Sequence, residues 1–171
     1  MTKRKINLIV VHCSASLFGS ARMIAEWHRE RGWRDIGYHY VINNGYSHAE
    51  AEYMPLLDGA LEAGRLVEEQ GAHVEGRNQD SLGVCLIGDP SRPKGGRWPF
   101  TRPQLETLRQ TLTFHLRERG LKPEAIRGHC ELDPKKPLCP GINMDHVRAM
   151  VAAPTAHEAD VFINKILTEE K

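Results

Sequence analysis

The apolar and polar positions of the chain alternate between two periods. Ile6-Asn-Leu-Ile-Val-Val11 is a short β-rich run broken only by Asn7. That is the pattern of a buried strand. It runs into His12-Cys13-Ser14. From Ser20 to Arg31, apolar Met23, Ile24 and Trp27 recur at helical spacing among charged residues, with Ser20 as N-cap and Gly32 as stop. Asp35 to Asn43 switches to a period of two. Tyr38, Tyr40 and Ile42 fall on one face, and His39, Val41 and Asn43 on the other. Asn44 to Pro55 is polar and loop-like, and Asp58-Gly59 is a hairpin signal. Gly71 to Asn78 is a further loop, and Ser81 to Gly88 reads as a buried central strand. Within that strand Cys85 is expected as an inert core thiol. Asp89 to Phe100, rich in Gly, Pro and basic residues, is a predicted surface loop.

Thr101-Arg-Pro-Gln104 then opens a helix with a capping box. Leu105, Leu108, Leu112 and Leu116 form its apolar stripe, and Gly120 ends it. His115 lies off that stripe and is expected in solvent. Two more helices are predicted, over Asp145–Ala153 and His157–Glu169; the second has an apolar face of Phe162, Ile163, Ile166 and Leu167. Strands alternating with helices predict an α/β fold in a single domain, a mixed central β-sheet flanked by helices. Residues 1–150 are expected to form the functional domain, with 151–171 as a helical extension packed on it or appended to it.

Composition narrows the function. The chain has 171 residues and a net charge of +1. That length suits one domain with a substantial core. The balanced charge gives no electrostatic reason for a nucleic-acid or membrane partner. No apolar run approaches a membrane span, and the N-terminal run is too short for a signal peptide. A cytoplasmic monomer is expected. The four cysteines would permit two disulfides, but reduced, buried or metal-bound thiols are expected in that compartment.

The chemistry concentrates in Ala125 to Gly141. Here His129, Cys130, Lys135, Lys136 and Cys139 sit on a segment stiffened by Pro134, Pro137 and Pro140. Imidazole and thiolate are preferred zinc ligands. His12 and His129 each follow a strand and each precede a cysteine. Strand alternation sends one of each pair to the site and the other to the core. Cysteine is the better small hydrophobe, so the histidines are expected at the site. With Cys139 they make three ligands, leaving a fourth tetrahedral position open, the catalytic arrangement. A hydrogen-bonded histidine at a strand end is the plainer reading of His12. The tyrosines of Asp35–Asn43 equally suit ordinary packing, and that strand puts either Tyr38 or His39 near His12.

Val11-His-Cys-Ser-Ala15, Trp27-His28, Gly37-Tyr-His-Tyr40, Gly71-Ala-His73, Asn78, Ser81 to Gly88, Gly128-His-Cys-Glu131 and Cys139-Pro-Gly141 occur in this order. Together they resemble the type 2 N-acetylmuramoyl-L-alanine amidases, above all the phage lysozymes of the T7 type, a fold shared with peptidoglycan-recognition proteins. The resemblance implies zinc held by His12, His129 and Cys139. It implies hydrolysis of the amide between N-acetylmuramic acid and L-alanine, with bacterial peptidoglycan or muropeptides as substrate. Tyr38 matches the family's active-site tyrosine. The family's Lys or Thr two residues before the ligand cysteine is Pro137 here. Lys136, nearest the ligand, is the expected ammonium, with Lys135 as the other choice. His73 and Asn78 are expected to contact substrate. A phage or prophage endolysin, reaching the wall only when released, is the leading expectation. A cytoplasmic muropeptide-recycling amidase and a non-catalytic peptidoglycan-binding or regulatory protein are the alternatives. Residues 44–55 look like an insertion.

Overall fold

The computed structural model describes residues 4–91 and 99–168. Its elements are β1 (Leu8–Cys13), α1 (Ala21–Glu30), β2 (Tyr40–Asn44), β3 (Asp58–Ala63), β4 (Ser81–Leu86), α2 (Arg102–Arg119), β5 (Ile126–Gly128), α3 (Met144–Ala152) and α4 (Ala156–Thr168). The strands form one sheet in the order β3-β2-β4-β1-β5. β1 runs parallel to both β4 and β5, and β2 runs parallel to β4. β3 pairs antiparallel on the outside of β2, so the sheet is mixed.

β1 and β4 lie at the centre and are covered on both faces, which explains their unbroken apolar runs. Ile9, Val11 and Cys13 of β1 join Leu82, Val84 and Leu86 against the leucine stripe of α2 and the inner faces of α3 and α4. The opposite face packs Val41, Cys85 and Ile87 against Ile24 and Ala25 of α1. Helix α1 starts at Ser20, whose hydroxyl accepts from the Met23 N–H. α2 carries the predicted capping box and ends at Gly120 with φ of 62°. That left-handed conformation suits glycine.

Three expectations are corrected. Asp58-Gly59 is not the tip of a hairpin; it opens β3, and residues 45–57 make the connection from β2. Gly59 is there because the start of α2 presses on it. A Cβ would stand 2.7 Å from the Pro103 carbonyl oxygen, at a φ of +78°. Asp58 serves as a joint, accepting from the Tyr53 hydroxyl at 2.7 Å and the Thr101 hydroxyl at 2.5 Å. Next, regular pairing of the second strand begins only at Tyr40, so the alternation over Asp35–Asn43 breaks. Tyr38 packs in the cluster of Val41, not with Tyr40 and Ile42. Finally, His115 is buried at 3% exposure rather than solvated. Its ring lies 5.1 Å from that of Tyr40, and its Nδ1 accepts from the Arg119 guanidinium at 2.8 Å.

Helix α4 joins the main core through Ala159, Ile163 and Ile166. It is also tied to α2 by an Arg102–Asp160 ion pair of 3.1 Å. Part of the predicted loop Asp89–Phe100, namely 92–98, and the predicted helix end at Glu169 lie outside the described residues.

Candidate metal centre

The site forms where β1 and β5 end side by side. In β1 the odd-numbered residues enter the α2 core, so His12 emerges on the other face, level with Cys85 of β4. His12 is fully buried and Cys13 is 9% exposed. β5 ends at Gly128, and His129, Cys130 and Glu131 make one turn of 3₁₀ helix. The proline-stiffened loop then folds back on itself. The Asp133 N–H donates to the His129 carbonyl at 2.9 Å, and the Cys139 N–H to the Lys136 carbonyl at 3.1 Å. The Cys130 N–H donates to the Cys139 carbonyl at 2.7 Å, which sets Cys139 beside His129.

The outcome is three ligand atoms in a cluster. Nδ1 of His12 lies 3.1 Å from Nδ1 of His129 and 3.9 Å from Sγ of Cys139. All three atoms fall within 4.8 Å of one another. Zinc with ordinary Zn–N and Zn–S bonds in a tetrahedron places its ligand atoms about 3.4 Å apart; the two observed distances bracket that value.

The outer hydrogen bonds decide how the rings are protonated. Ser81 gives its hydroxyl proton to the Arg77 carbonyl at 2.6 Å, so it can only accept from His73 Nε2 at 3.4 Å. That leaves His73 Nδ1 as an acceptor, and His12 Nε2 donates to it at 3.0 Å. Nε2 of His129 in turn lies 3.8 Å from an Asp133 carboxylate oxygen. His12 Nδ1 is therefore an acceptor facing His129 Nδ1, a lone pair placed where a cation can take it. Burial, then the neighbouring His73 and His129, holds the His12 pKa well below its usual value. Burial likewise lowers His73 to about 3, and lowers His129. All three imidazoles are neutral near pH 7, as metal ligands must be. The Cys139 thiol is pushed up by its hydrogen bond with the Cys13 thiol and by burial. The Cys13 N–H also donates to its sulfur at 3.3 Å. The donor set fits zinc: two neutral imidazoles, one sulfur, and a shell that orients the rings.

Around this cluster, Tyr38 stands with its ring 5.1 Å from that of His12. Burial, with Cys85, Cys139 and Cys13 nearby, drives its pKa well above the usual phenol value, so it remains a donor. Lys135 and Lys136 are both exposed on the loop. Lys136 is near enough to His129 to lower its pKa. His73 is buried at 7% exposure, with both ring nitrogens engaged inside the protein, so it backs His12 and does not line an open cleft. Asn78 sits a layer further back. Its Oδ1 accepts from the N–H groups of His73 and Val74 at 2.7 and 2.9 Å. Glu131 is committed to Arg148 at 3.1 Å and to the Gly128 N–H at 2.7 Å, so it offers no general base. The four cysteines form no disulfide, and no helix among the described residues is long and apolar enough to cross a membrane. Sequence reasoning missed Asp133; its position four residues after His129 was the available signal.

Residues 2–142 match the family described as N-acetylmuramoyl-L-alanine amidase. The chain is 34% identical over 145 residues to the endolysin of Escherichia phage T7, covering 83% of this chain and 85% of that protein. Among solved structures it resembles the N-acetylmuramoyl-L-alanine amidase LysC from Clostridium intestinale, with a TM-score of 0.69 at 21% identity over 88% of each chain. Drosophila PGRP-LB shares the fold at a TM-score of 0.58 and 23% identity, over 80% of this chain and 75% of that one. The matched residues include every member of the cluster just described, and the chain belongs to the N-acetylmuramoyl-L-alanine amidase family.

Proposed function

We propose that the protein is a zinc-dependent endolysin that cleaves the amide joining N-acetylmuramic acid to L-alanine in peptidoglycan. The observation that carries the zinc reading is the convergence of His12 Nδ1, His129 Nδ1 and Cys139 Sγ, with the His12 ring held from behind by His73 and the Asp133 carboxylate near His129. The likeness over most of both lengths to a phage endolysin supports the lytic role. Zinc, when bound, acidifies water toward neutral pH and polarises a carbonyl.

The chain's own residues supply the rest. His12, His129 and Cys139 hold the cation. In the hydrolysis, water oxygen bonds to the lactyl carbonyl carbon, the carbon–nitrogen bond breaks, and the alanine nitrogen leaves with a proton. Negative charge develops on the carbonyl oxygen. The Tyr38 hydroxyl, kept protonated by burial, donates toward it, and Lys136 at the rim brings an ammonium. Peptide release from purified peptidoglycan and from soluble muropeptides, with and without chelator and with zinc restored, tests the reading. Free stem peptides beginning with L-alanine, lost on chelation and regained with zinc, are expected. Release of sugar fragments instead, or activity indifferent to chelator, overturns it. Preference for soluble muropeptides over wall would move the enzyme from lysis to recycling.

A further inference from the structure

Two glycines make a slot for one imidazole. A Cβ on Gly83 would stand 2.7 Å from Cγ and Cδ2 of His73 and 3.0 Å from its Nδ1. A Cβ on Gly71 would stand 2.5 Å from Cδ2 and 2.9 Å from Nε2 of the same ring. Real Cβ atoms do not approach so closely, so any larger residue at either position displaces the ring. Gly83 lies within β4 and Gly71 in the loop before it, and neither has a positive φ. Backbone conformation therefore does not demand glycine at these positions; the ring does. The ring is gripped from its other sides as well. Asn78 holds its backbone N–H at 2.7 Å, Ser81 holds Nε2, and the His39 ring packs edge-on at 5.7 Å. All this apparatus points Nδ1 at Nε2 of His12.

We infer that His73 is the positioning residue of the metal centre, fixing His12 in the Nε2–H tautomer so that Nδ1 faces the cation, and that Gly71 and Gly83 are glycine to admit it. This rests on the zinc reading and gives it a part that neither ligand count nor spacing discloses. A ligand histidine is commonly held by a hydrogen bond on its second nitrogen, and losing that partner costs about 10–100-fold in metal affinity. Here the partner is another histidine, which serves only while neutral and only while its acceptor nitrogen faces forward. Ser81 enforces the second condition, because its own proton is spent on Arg77.

The test is zinc affinity, measured by competition with a chromophoric chelator on the full chain. Nitrogen chemical shifts of His12 and the melting temperature are read alongside. His73→Leu, which has no acceptor, should bind zinc about 10–100-fold more weakly, with His12 no longer held in one tautomer. His73→Asn, whose Oδ1 takes the place of Nδ1, should bind close to wild type. Gly83→Ala, with His73 intact, should reproduce the His73→Leu loss. Added to His73→Leu, it should cost little more, since the two act on one contact. Wild-type affinity in both His73→Leu and Gly83→Ala overturns the inference. So does an equal loss in the Leu and Asn variants, which would mark a purely structural role. If His73→Leu fails to fold, Gly83→Ala decides. Wild-type protein without zinc affinity would instead overturn the zinc reading itself.

Discussion

Acid should unfold this protein through its buried, neutral histidines, three of which lie outside the cluster of His12, His129 and Cys139 and its partner His73. His28, His39 and His115 are each buried and each use Nδ1 as an acceptor from a fixed donor. The donors are the Gly37 N–H at 3.0 Å, the Gly83 N–H at 3.0 Å and the Arg119 guanidinium at 2.8 Å. Protonating any of these rings sets N–H against N–H. Burial, the largest cause in each case, lowers all three to about 4 from the usual 6.5. With the folded pKa below the unfolded one, the unfolded chain binds more protons. The stability is therefore complete above about pH 6.5 and is lost as pH falls toward 4. At pH 5 each ring costs about 1.5 pK units, or about 2 kcal/mol. Three together cost about 6 kcal/mol, against a usual domain stability of 5–15 kcal/mol. Asp80 and Asp145, lowered from 3.8 by their arginine partners Arg77 and Arg148, titrate below this window.

Urea unfolding from pH 7.5 to 5, in excess chelator so that metal release does not contribute, supplies the slope. Close to five protons should be taken up on unfolding near pH 5, because His12, held well below its usual pKa, and His73, at about 3, add to these three, and His115→Gln should remove about one. Uptake of less than one proton, or an unchanged slope in His115→Gln, refutes the reasoning.

Three further outcomes are expected. Lys136→Ala should lose about a hundredfold in turnover while keeping zinc and melting temperature; a dead Lys135→Ala beside an active Lys136→Ala would reassign the ammonium. Cys139→Ser should lose zinc and Cys130→Ser should keep it, as metal analysis of the purified variants would show; the reverse would exchange the ligand. Gln104→Leu should cost about 2–4 kcal/mol in a urea titration, because it strips the buried Ile87 carbonyl and the Thr101 N–H of their partner; Thr101→Ala, losing only the cap, should cost about 1 kcal/mol.

The sequence was most legible where the sheet covers both sides of a strand. Parity along β1 sent His12 to the site and Cys13 to the core because each face meets a different apolar cluster. The same argument broke down at Tyr38, which precedes regular pairing, so its direction is set by irregular contacts such as the His39 N–H on the Gly83 carbonyl. Helix α2 hid more. Beside its leucine stripe runs a second buried line of Gln104, Thr111 and His115. Hydrophobic periodicity cannot find such a line, because its members are buried by what they bond. Gln104, for one, donates to the carbonyls of Ile42 and Ile87 at 3.0 and 2.9 Å. Residue types and spacing pointed to His12, His129 and Cys139 together, and the fold brings these three side by side. The partners behind them were not legible, since Asp133 and the glycine slot gain meaning only once the chain is folded.

The way α4 enters the core bears on how this enzyme can be recombined. The family match ends at residue 142, an inviting junction for exchanging modules between lysins. The hydrophobic interior does not stop there. Val147, Met150, Ala159, Ile163 and Ile166 lie beyond that point, and all five are buried against the underside of the sheet and α2. A chimera joined at residue 142 would strip all five from the core and open to water the parts of α2 and β5 that α3 and α4 pack against, giving an aggregating protein. A junction after Thr168 leaves that interior sealed and gives a catalytic cassette able to carry a foreign binding module.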